Sequence, residues 1–283
     1  MSSLAERIER YAHGPLEGKE RSEALRCVQE LFEALRTGRI RAAEPDPQAP
    51  AGWRVHAWVK AGILLGFRLG ELIEVQAGPT WRFFDKATLP VRPTTLRERV
   101  RIVPGGTTVR DGAYLAPGVI LMPPSYVNVG AYVDEGAMID SHVLVGSCAQ
   151  IGRRVHLSAG VQIGGVIEPV GALPVIIEDE AFVGAHAAIL EGAIVRRRAV
   201  IAPSVVLTAS TPLYDLVRDR IWRAENGQPL IVPEGAVVVP GVRAAHNRGT
   251  LAQEEGIGLY VPVIVKYRDA STEARLALED AVR

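Results

Sequence analysis

The stretch VGSCAQIGRRVHLSAGVQIGG, residues 145–165, decides the fold of this 283-residue chain. Within it Val145, Ile151, Leu157 and Ile163 are aliphatic and lie six positions apart. An α-helix repeats every 3.6 residues and a β-strand every two, so neither element explains this spacing. A period of six is typical of a parallel β-helix, in which each hexapeptide forms one short strand and one turn.

The six-residue period continues through most of the second half of the chain. Ten aliphatic residues follow it from Val109 to Ile163, and six more follow it from Ile177 to Leu207. The residues four places later are nearly all small or β-branched, which suits the narrow corner of a triangular coil. We therefore predict that three hexapeptides close one coil and that the aliphatic side chains stack inside the prism. Gly, Asn and Asp are expected to make the turns.

Two interruptions break the period. The first covers residues 168–176 and the second covers residues 210–229. The first is either a tolerated insertion or a wall over a site in a neighbouring subunit, because exposed loops on rigid scaffolds serve both purposes.

The flanking regions divide the chain into three predicted parts. Residues 1–100 are expected to form a helical N-terminal domain, residues 101–240 the β-helix, and residues 241–283 a small segment with a strand and a helix. The predicted fold class is therefore mainly β, a parallel β-helix built on hexapeptide repeats with helical and mixed ends.

Local signals place three helices outside the repeat. RSEALRCVQELFEALRTG, which begins at Arg21, has helical spacing, with Ser22 as the expected N-cap and Gly38 as the stop. HAWVKAGILLGFRLG, residues 56–70, predicts a second and well buried helix. The last residues predict a closing helix capped by Ser271 or Thr272.

Composition and charge exclude several classes of function. The chain has 32 basic and 32 acidic residues and no basic stripe, so we expect no nucleic-acid partner and no membrane surface. A charged N-terminus and the lack of any apolar stretch of about 18 residues predict a soluble, cytoplasmic protein. The six histidines show no ligand-like spacing, and no metal site is expected.

Several stretches go beyond the generic repeat. MPPSYVNVGAYVDEGAMID (residues 122–140), IGGVIEP (163–169), PVIVKYRD (262–269) and RFFDKATLPVR (82–92) resemble tetrahydrodipicolinate N-succinyltransferases. The resemblance runs along nearly the whole chain, in order. It implies a left-handed β-helix and a homotrimer with active sites between neighbouring prisms.

The resemblance also implies a reaction. It is the transfer of a succinyl group from succinyl-CoA to the amine of L-2-amino-6-oxopimelate, in the diaminopimelate and lysine pathway. The acyl-CoA is a cosubstrate, and no permanently bound cofactor is expected. Direct attack of the amine on the thioester needs a base and N–H donors for the oxyanion, but no Ser or Cys nucleophile.

Site residues follow from the same resemblance. Asp140 is the expected catalytic carboxylate, and Arg101 matches the family's substrate-binding arginine, whose fork suits a carboxylate. Two further substrate contacts are expected at Asn128 and Ser158. Five residues are expected to bind the acyl-CoA, two as cations for its phosphates and three as close-approach points for its pantetheine arm: Lys266, Arg243, Gly164, Ala202 and Ala209.

One departure from the family concerns the reacting centre. The family's second catalytic glutamate is here Ala188, and two neighbouring family residues are replaced by His142 and His186. In one interpretation His142 or His186 takes over the missing role, since imidazole titrates near neutral pH. In the other, the acyl donor or the acceptor differs, with acetyl-CoA or another amino acid as the alternative. A catalytically silent trimeric scaffold is the competing class.

Overall fold

The repeat forms a three-sided prism, and its geometry confirms the predicted left-handed parallel β-helix. The computed structural model describes residues 2–245, 249–269 and 272. Each strand pairs in parallel with the strand one coil before it, so that Gln150 lies beside Tyr132, 18 positions earlier. Three hexapeptides therefore make one coil, as predicted.

The strands of the prism form three parallel stacks, which we call the first, second and third faces. The first face consists of Thr108–Val109, Tyr126–Val127, Leu144–Val145, Gln162–Ile163, Ala188–Ile189 and Val206–Leu207. The second face consists of Tyr114–Leu115, Tyr132–Val133, Gln150–Ile151, Ile176–Ile177, Ile194–Val195 and Ile231–Val232. The third face begins with Arg101–Ile102, Ile120–Leu121, Met138–Ile139, His156–Leu157, Phe182–Val183 and Val200–Ile201.

The third face continues into an antiparallel ribbon. The strand Ala236–Ala244 follows Val200–Ile201 in the sheet, crosses the predicted boundary at residue 240, and pairs with Gly258–Tyr267. The short helix Thr250–Glu254 lies between these two strands in sequence. The hairpin Leu213–Asp215 and Arg220–Trp222, which forms the second interruption, completes the sheet. The predicted closing helix, with Ser271 or Thr272 as its cap, lies outside the described residues except for Thr272.

The repeat aliphatics stack inside the prism, as the period predicts. All sixteen belong to one continuous core, and even the most exposed of them, Val109, is only 4% exposed. The turns need one residue per corner in the left-handed region, which glycine adopts without strain. Several non-glycine residues occupy this position, including His142 (φ 61°), Cys148 (φ 64°) and His186 (φ 58°).

The N-terminal region combines helices and hairpins. It contains α1 (Leu4–Tyr11), α2 (Gly18–Arg36) and α3 (Ala57–Leu69), together with two 3₁₀ turns at Pro50–Gly52 and Leu96–Glu98. Its two antiparallel hairpins are Ala43–Pro45 with Trp53–Val55 and Leu72–Ala77 with Trp81–Lys86. No helix in the described part of the chain is both long and apolar enough to cross a bilayer.

The second helix begins earlier than the sequence predicted. Its N-cap is Glu17, so the expected cap Ser22 lies inside α2, where its hydroxyl donates to the carbonyl oxygen of Gly18 at 3.1 Å. The extra turn is held by a tertiary contact, because Arg21 donates to the carbonyl oxygen of Leu69 and to Glu71, both at 2.9 Å. The predicted stop is confirmed, with Gly38 just after the helix at φ 72°.

A buried carboxylate fastens the second interruption to the prism. Asp215 is 2% exposed and accepts hydrogen bonds from the Tyr267 hydroxyl (2.7 Å) and the Trp222 indole N–H (3.3 Å). Burial alone would raise the pKa of Asp215, but these bonds and two backbone N–H donors outweigh burial and hold its pKa below the ordinary value. The same contact and burial raise the pKa of Tyr267 to about 12.

We expect Asp215 to make the fold sensitive to acid. A carboxyl whose pKa is depressed by folding stabilises the protein above its unfolded pKa of about 4, and that stabilisation is lost as the pH falls through the folded pKa. Unfolding of the wild type and of Asp215→Asn by urea, measured from pH 7 to pH 3, checks this. The difference in the free energy of unfolding should be largest at pH 7 and shrink below about pH 4. A difference that is constant over this range would refute the assignment.

Candidate active site

The candidate residues lie mainly on the two edges of the first face. We call the edge formed by turns 122–125, 140–143, 158–161, 184–187 and 202–205 the histidine edge. It carries five of the predicted residues: Asp140, His142, Ser158, His186 and Ala202. The opposite edge, formed by turns 110–113, 128–131, 146–149, 164–167, 190–193 and 208–211, is the groove edge, and it carries Asn128, Gly164 and Ala209.

Asp140 is half-buried at the start of its turn. One carboxylate oxygen, Oδ1, accepts the backbone N–H of Ser141 at 2.7 Å, a local arrangement that fixes the turn. The other oxygen accepts no hydrogen bond from the described residues. The structure therefore leaves half of the Asp140 carboxylate available to a ligand, while the turn holds the group in place.

The two histidines are exposed on the same edge, two coils apart. Parallel strands are spaced about 4.8 Å apart, so their backbones are separated by roughly 10 Å along the prism. Gly160 occupies the coil between them, and a Cβ there would lie 2.5 Å from Nδ1 of His186. The missing side chain of Gly160 therefore lets the His186 imidazole lie over the turn toward the coil of Asp140 and His142.

The backbone amides of Ala159 and Ala185, in neighbouring turns of the histidine edge, have no acceptor among the described residues. The amides of His142, Gly160 and His186 each donate to a carbonyl oxygen of the preceding coil, at 2.5, 2.8 and 3.0 Å. The half-buried amides of Ala159 and Ala185 donate to no described group. They are available to a carbonyl or oxyanion that approaches this edge.

The first face presents a shallow cavity of about 290 Å³ beside His142. Tyr126 and Gln162 line it, and Gln162 donates through Nε2 to the carbonyl oxygens of Gly160 (3.1 Å) and His142 (3.4 Å). Ala188, where the resemblance implies a glutamate, pairs with Gln162 on this face and is half-buried. A longer side chain at position 188 would therefore project from the first face close to the histidine edge.

A larger groove of about 650 Å³ runs along the groove edge, between the two interruptions. Seven of its fifteen lining residues are glycine or alanine, so the backbone is open to close approach at these positions. Its side-chain charges are the carboxylates of Glu168 and Glu191, and no Lys or Arg of the described residues contributes to it. The groove brings together the predicted residues Gly164 and Ala209, and the amide of Ala209 donates to Glu191 at 2.9 Å.

The remaining predicted residues are dispersed. Arg101 is exposed on the first strand of the third face, two strands away from the strand that precedes Asp140. Lys266 lies on the C-terminal ribbon beside Val237 and forms an ion pair with Asp269 at 3.1 Å. Arg243 lies opposite Leu259, about 20 Å further along the same ribbon. Within one chain these three cations converge neither on each other nor on the groove.

Sequence reasoning missed part of the groove. Its wall also includes Glu168, Leu190, Glu191, Gln228 and Pro229, none of which was among the predicted site residues. The available signals were the adjacent Gly164–Gly165 pair and the first interruption, for which a wall over a site in a neighbouring subunit was one of the two interpretations. The groove needs both interruptions to fold against the same edge, which no local pattern reveals.

Cysteine chemistry has no support at this site. Cys148 is fully buried at a corner against Ile63, and burial raises the pKa of its thiol to about 12, which keeps it protonated and inert. Cys148 is therefore a packing residue of the corner. Within the described residues no cluster of three or more His, Cys, Asp or Glu side chains could hold a metal ion.

Comparison with known proteins adds a family to this geometry. Residues 3–69 match the family model described as the tetrahydrodipicolinate N-succinyltransferase N-terminal region, and residues 174–209 match the hexapeptide repeat of succinyl-transferase. Two relatives bear the name 2,3,4,5-tetrahydropyridine-2,6-dicarboxylate N-succinyltransferase. The one from Albidiferax ferrireducens is 44% identical over 92% of this chain and 90% of its own. The one from Bordetella petrii is 43% identical over 93% and 90%.

Solved structures resemble the chain only loosely. The acetyltransferase domain of PglB from Neisseria gonorrhoeae, in complex with acetyl coenzyme A, is 20% identical and matches 50% of this chain and 54% of its own. The TM-score of that match is 0.32.

Proposed function

Because this chain belongs to the tetrahydrodipicolinate N-succinyltransferase family, we propose how its two edges perform the family's reaction. The activity is N-acyl transfer to a tetrahydrodipicolinate-type amine. The observation that supports this site best is the histidine edge, with its half-free carboxylate, its two exposed imidazoles and its two unengaged amides. These are the groups that amine attack on a thioester requires: a proton acceptor and oxyanion donors.

We propose that the acyl-CoA lies along the groove edge. The pantetheine arm is narrow and uncharged, so it suits a groove lined by small residues and backbone, such as Gly164 and Ala209. The two carboxylates of the groove would repel the phosphates, which therefore extend beyond it toward cations such as Lys266 and Arg243. Succinyl-CoA is the proposed donor, since the relatives are named as succinyltransferases.

The separation of the two edges supports a homotrimer. In one chain the first face lies between the groove and the histidine edge, so a thioester in the groove is on the order of 15 Å from Asp140. The groove edge of one copy must therefore face the histidine edge of its neighbour. Three prisms arranged around a threefold axis supply three such clefts, and closed cyclic symmetry leaves no unpaired edge. The neighbour would also supply cations that one chain leaves dispersed.

We propose that His186 takes over the role of the glutamate that the resemblance implies at position 188, where this chain has alanine. His186 leans over Gly160 toward the turn of Asp140 and His142, and imidazole accepts a proton near neutral pH. Asp140 then orients the amine, and Arg101, Asn128 and Ser158 remain the proposed acceptor contacts. His142 is the second choice for the base, because its ring lies beside the first-face cavity. The cytoplasmic location stays a prediction.

A donor assay tests the function. The protein is mixed with L-2-aminopimelate, a stable acceptor analogue, and with succinyl-CoA or acetyl-CoA in parallel, while free thiol is followed. We expect release of CoA with succinyl-CoA and an N-succinyl product. Release with acetyl-CoA alone would assign a different donor. No release with either donor would overturn the proposed reaction and favour another acceptor or a silent scaffold.

A paired substitution tests the base. His186→Ala should lower kcat by about 10²-fold or more, since general-base catalysis contributes about that much. Adding Ala188→Glu to this variant should recover activity and move the acidic limb of the pH–rate profile to lower pH, because a carboxyl titrates below an imidazole. His142→Ala is the matched control from the same edge. If His142→Ala is the more damaging change, the roles of the two histidines are exchanged.

A further inference from the structure

A buried lysine links the N-terminal helices to the loop that walls the groove. Lys60 of α3 is fully buried, and its Nζ donates to the carbonyl oxygen of Ala172 at 2.5 Å. Ala172 belongs to the first interruption and lines the groove. No carboxylate within the described residues pairs with Lys60, so this carbonyl is its partner. A lysine is almost never fully buried without a specific reason.

The surroundings of Lys60 are apolar. Helix α3 packs into a cluster that includes Ile63, Val129 and Cys148, and Ile167, which immediately precedes the loop, packs against the same cluster. Burial lowers the pKa of Lys60, since it disfavours the charged form. The amine donates a hydrogen bond in either protonation state, so the contact with Ala172 does not depend on the charge.

The loop is also held to the rest of the protein near both of its ends, while Lys60 reaches its middle. Two residues before the loop, the backbone N–H of Val166 donates to the carbonyl oxygen of Ser147 at 3.2 Å. At its end the carbonyl oxygen of Leu173 lies 2.6 Å from the place where a Cβ on Gly192 would stand, so only glycine fits there. Ala172, between these points, is tied to its own turn by a bond to Pro169 and to the rest of the protein by Lys60.

We infer that Lys60 is a positioning residue for the acyl-CoA groove, because its buried amine anchors the loop at Ala172 and thereby sets the shape of one wall. The inference rests on the proposed function of that groove. Lys60 itself touches neither substrate. It acts through the backbone of the loop, and its effect should therefore appear in donor binding rather than in the chemical step.

Lys60→Met tests the inference. Methionine keeps the length and apolar packing but removes the donor, and replacing a buried polar group in this way should leave the protein folded. We expect the KM for acyl-CoA to rise about 10-fold, from the loss of a buried hydrogen bond that holds the loop, with kcat nearly unchanged. We also expect faster hydrogen exchange at the amides of residues 170–173. Lys19→Met, on the exposed face of α2, is the matched control and should match the wild type.

A variant that blocks the groove separates the proposed location of the acyl-CoA from the proposed role of Lys60. Ala209→Phe fills the exposed rim of the groove and should raise the same KM if the acyl-CoA lies there. An unchanged KM in Ala209→Phe would refute the proposed location of the acyl-CoA. The hydrogen-exchange rates of Lys60→Met would still show whether Lys60 anchors the loop. Unchanged exchange in Lys60→Met would overturn the inference. The inference would also be overturned if Ala209→Phe raises the KM for acyl-CoA while Lys60→Met speeds the exchange but leaves that KM unchanged.

Discussion

Asp140→Asn is expected to lower kcat by about 10²-fold, because the proposed role of this carboxylate is to orient the amine, and misplacing a reacting group by about 1 Å costs about that much. The KM for the acyl-CoA should change little, because the proposed donor groove lies on the opposite edge of the first face. Asparagine keeps the oxygen that accepts the Ser141 amide, so the turn is preserved while the negative charge is lost. Steady-state kinetics with the donor and the acceptor varied separately measure both effects.

Asp134→Asn is the matched control for this change. Asp134 makes the same local bond, with its Oδ1 accepting the amide of Glu135 at 2.8 Å, but it lies on the edge between the second and third faces. If Asp140 were only a turn former, the two asparagine variants would behave alike. Equal activities would therefore contradict the catalytic assignment.

Mixed trimers extend the same test to the assembly. Asp140→Asn damages the histidine edge, and Ala209→Phe damages the groove edge. If each site uses one edge from each of two neighbouring copies, trimers reassembled from both variants contain some sites in which both edges are intact. Activity should then reappear on mixing. Mixtures that stay as inactive as either variant alone would contradict a site shared between subunits.

The second large effect is expected in the prism core. Ile151 is fully buried and stacks between Val133 and Ile177 of the neighbouring coils. Ile151→Ala should lower the free energy of unfolding by about 2–5 kcal/mol, because it removes buried methyl groups and leaves a cavity that close-packed coils cannot fill. Denaturant unfolding at one fixed protein concentration measures this, since assembly would make the stability depend on concentration.

Two variants calibrate the core measurement. Ile151→Val removes a single methyl group and should cost about 0.5–1.5 kcal/mol. Ile102→Ala, on the first strand of the third face, changes a side chain that is 37% exposed and should cost less than Ile151→Ala. An Ile151→Ala variant no less stable than Ile151→Val would mean that the coils collapse around the gap.

The amount that sequence could predict differs between the prism and the site. The period of six identified the buried residues because each strand has a fixed role, and an aliphatic side chain every sixth place is needed to fill the interior. The same period, counted in coils of 18, places Asp140 and Ser158 on one edge. Local signals were weaker at the start of α2, where the contacts of Arg21 with Leu69 and Glu71 extend the helix past the expected cap Ser22.

The sequence by itself determined the coil, its core and the family to which the chain belongs. Only the tertiary structure decided how the candidate residues divide between two edges, how both interruptions enclose one groove, and that Lys60 reaches Ala172. The physical reason is the range of the interactions. Every hexapeptide of the repeat carries the same local sequence pattern, and that pattern specifies its strand and turn. A contact between residues 112 positions apart depends instead on packing that no single segment encodes.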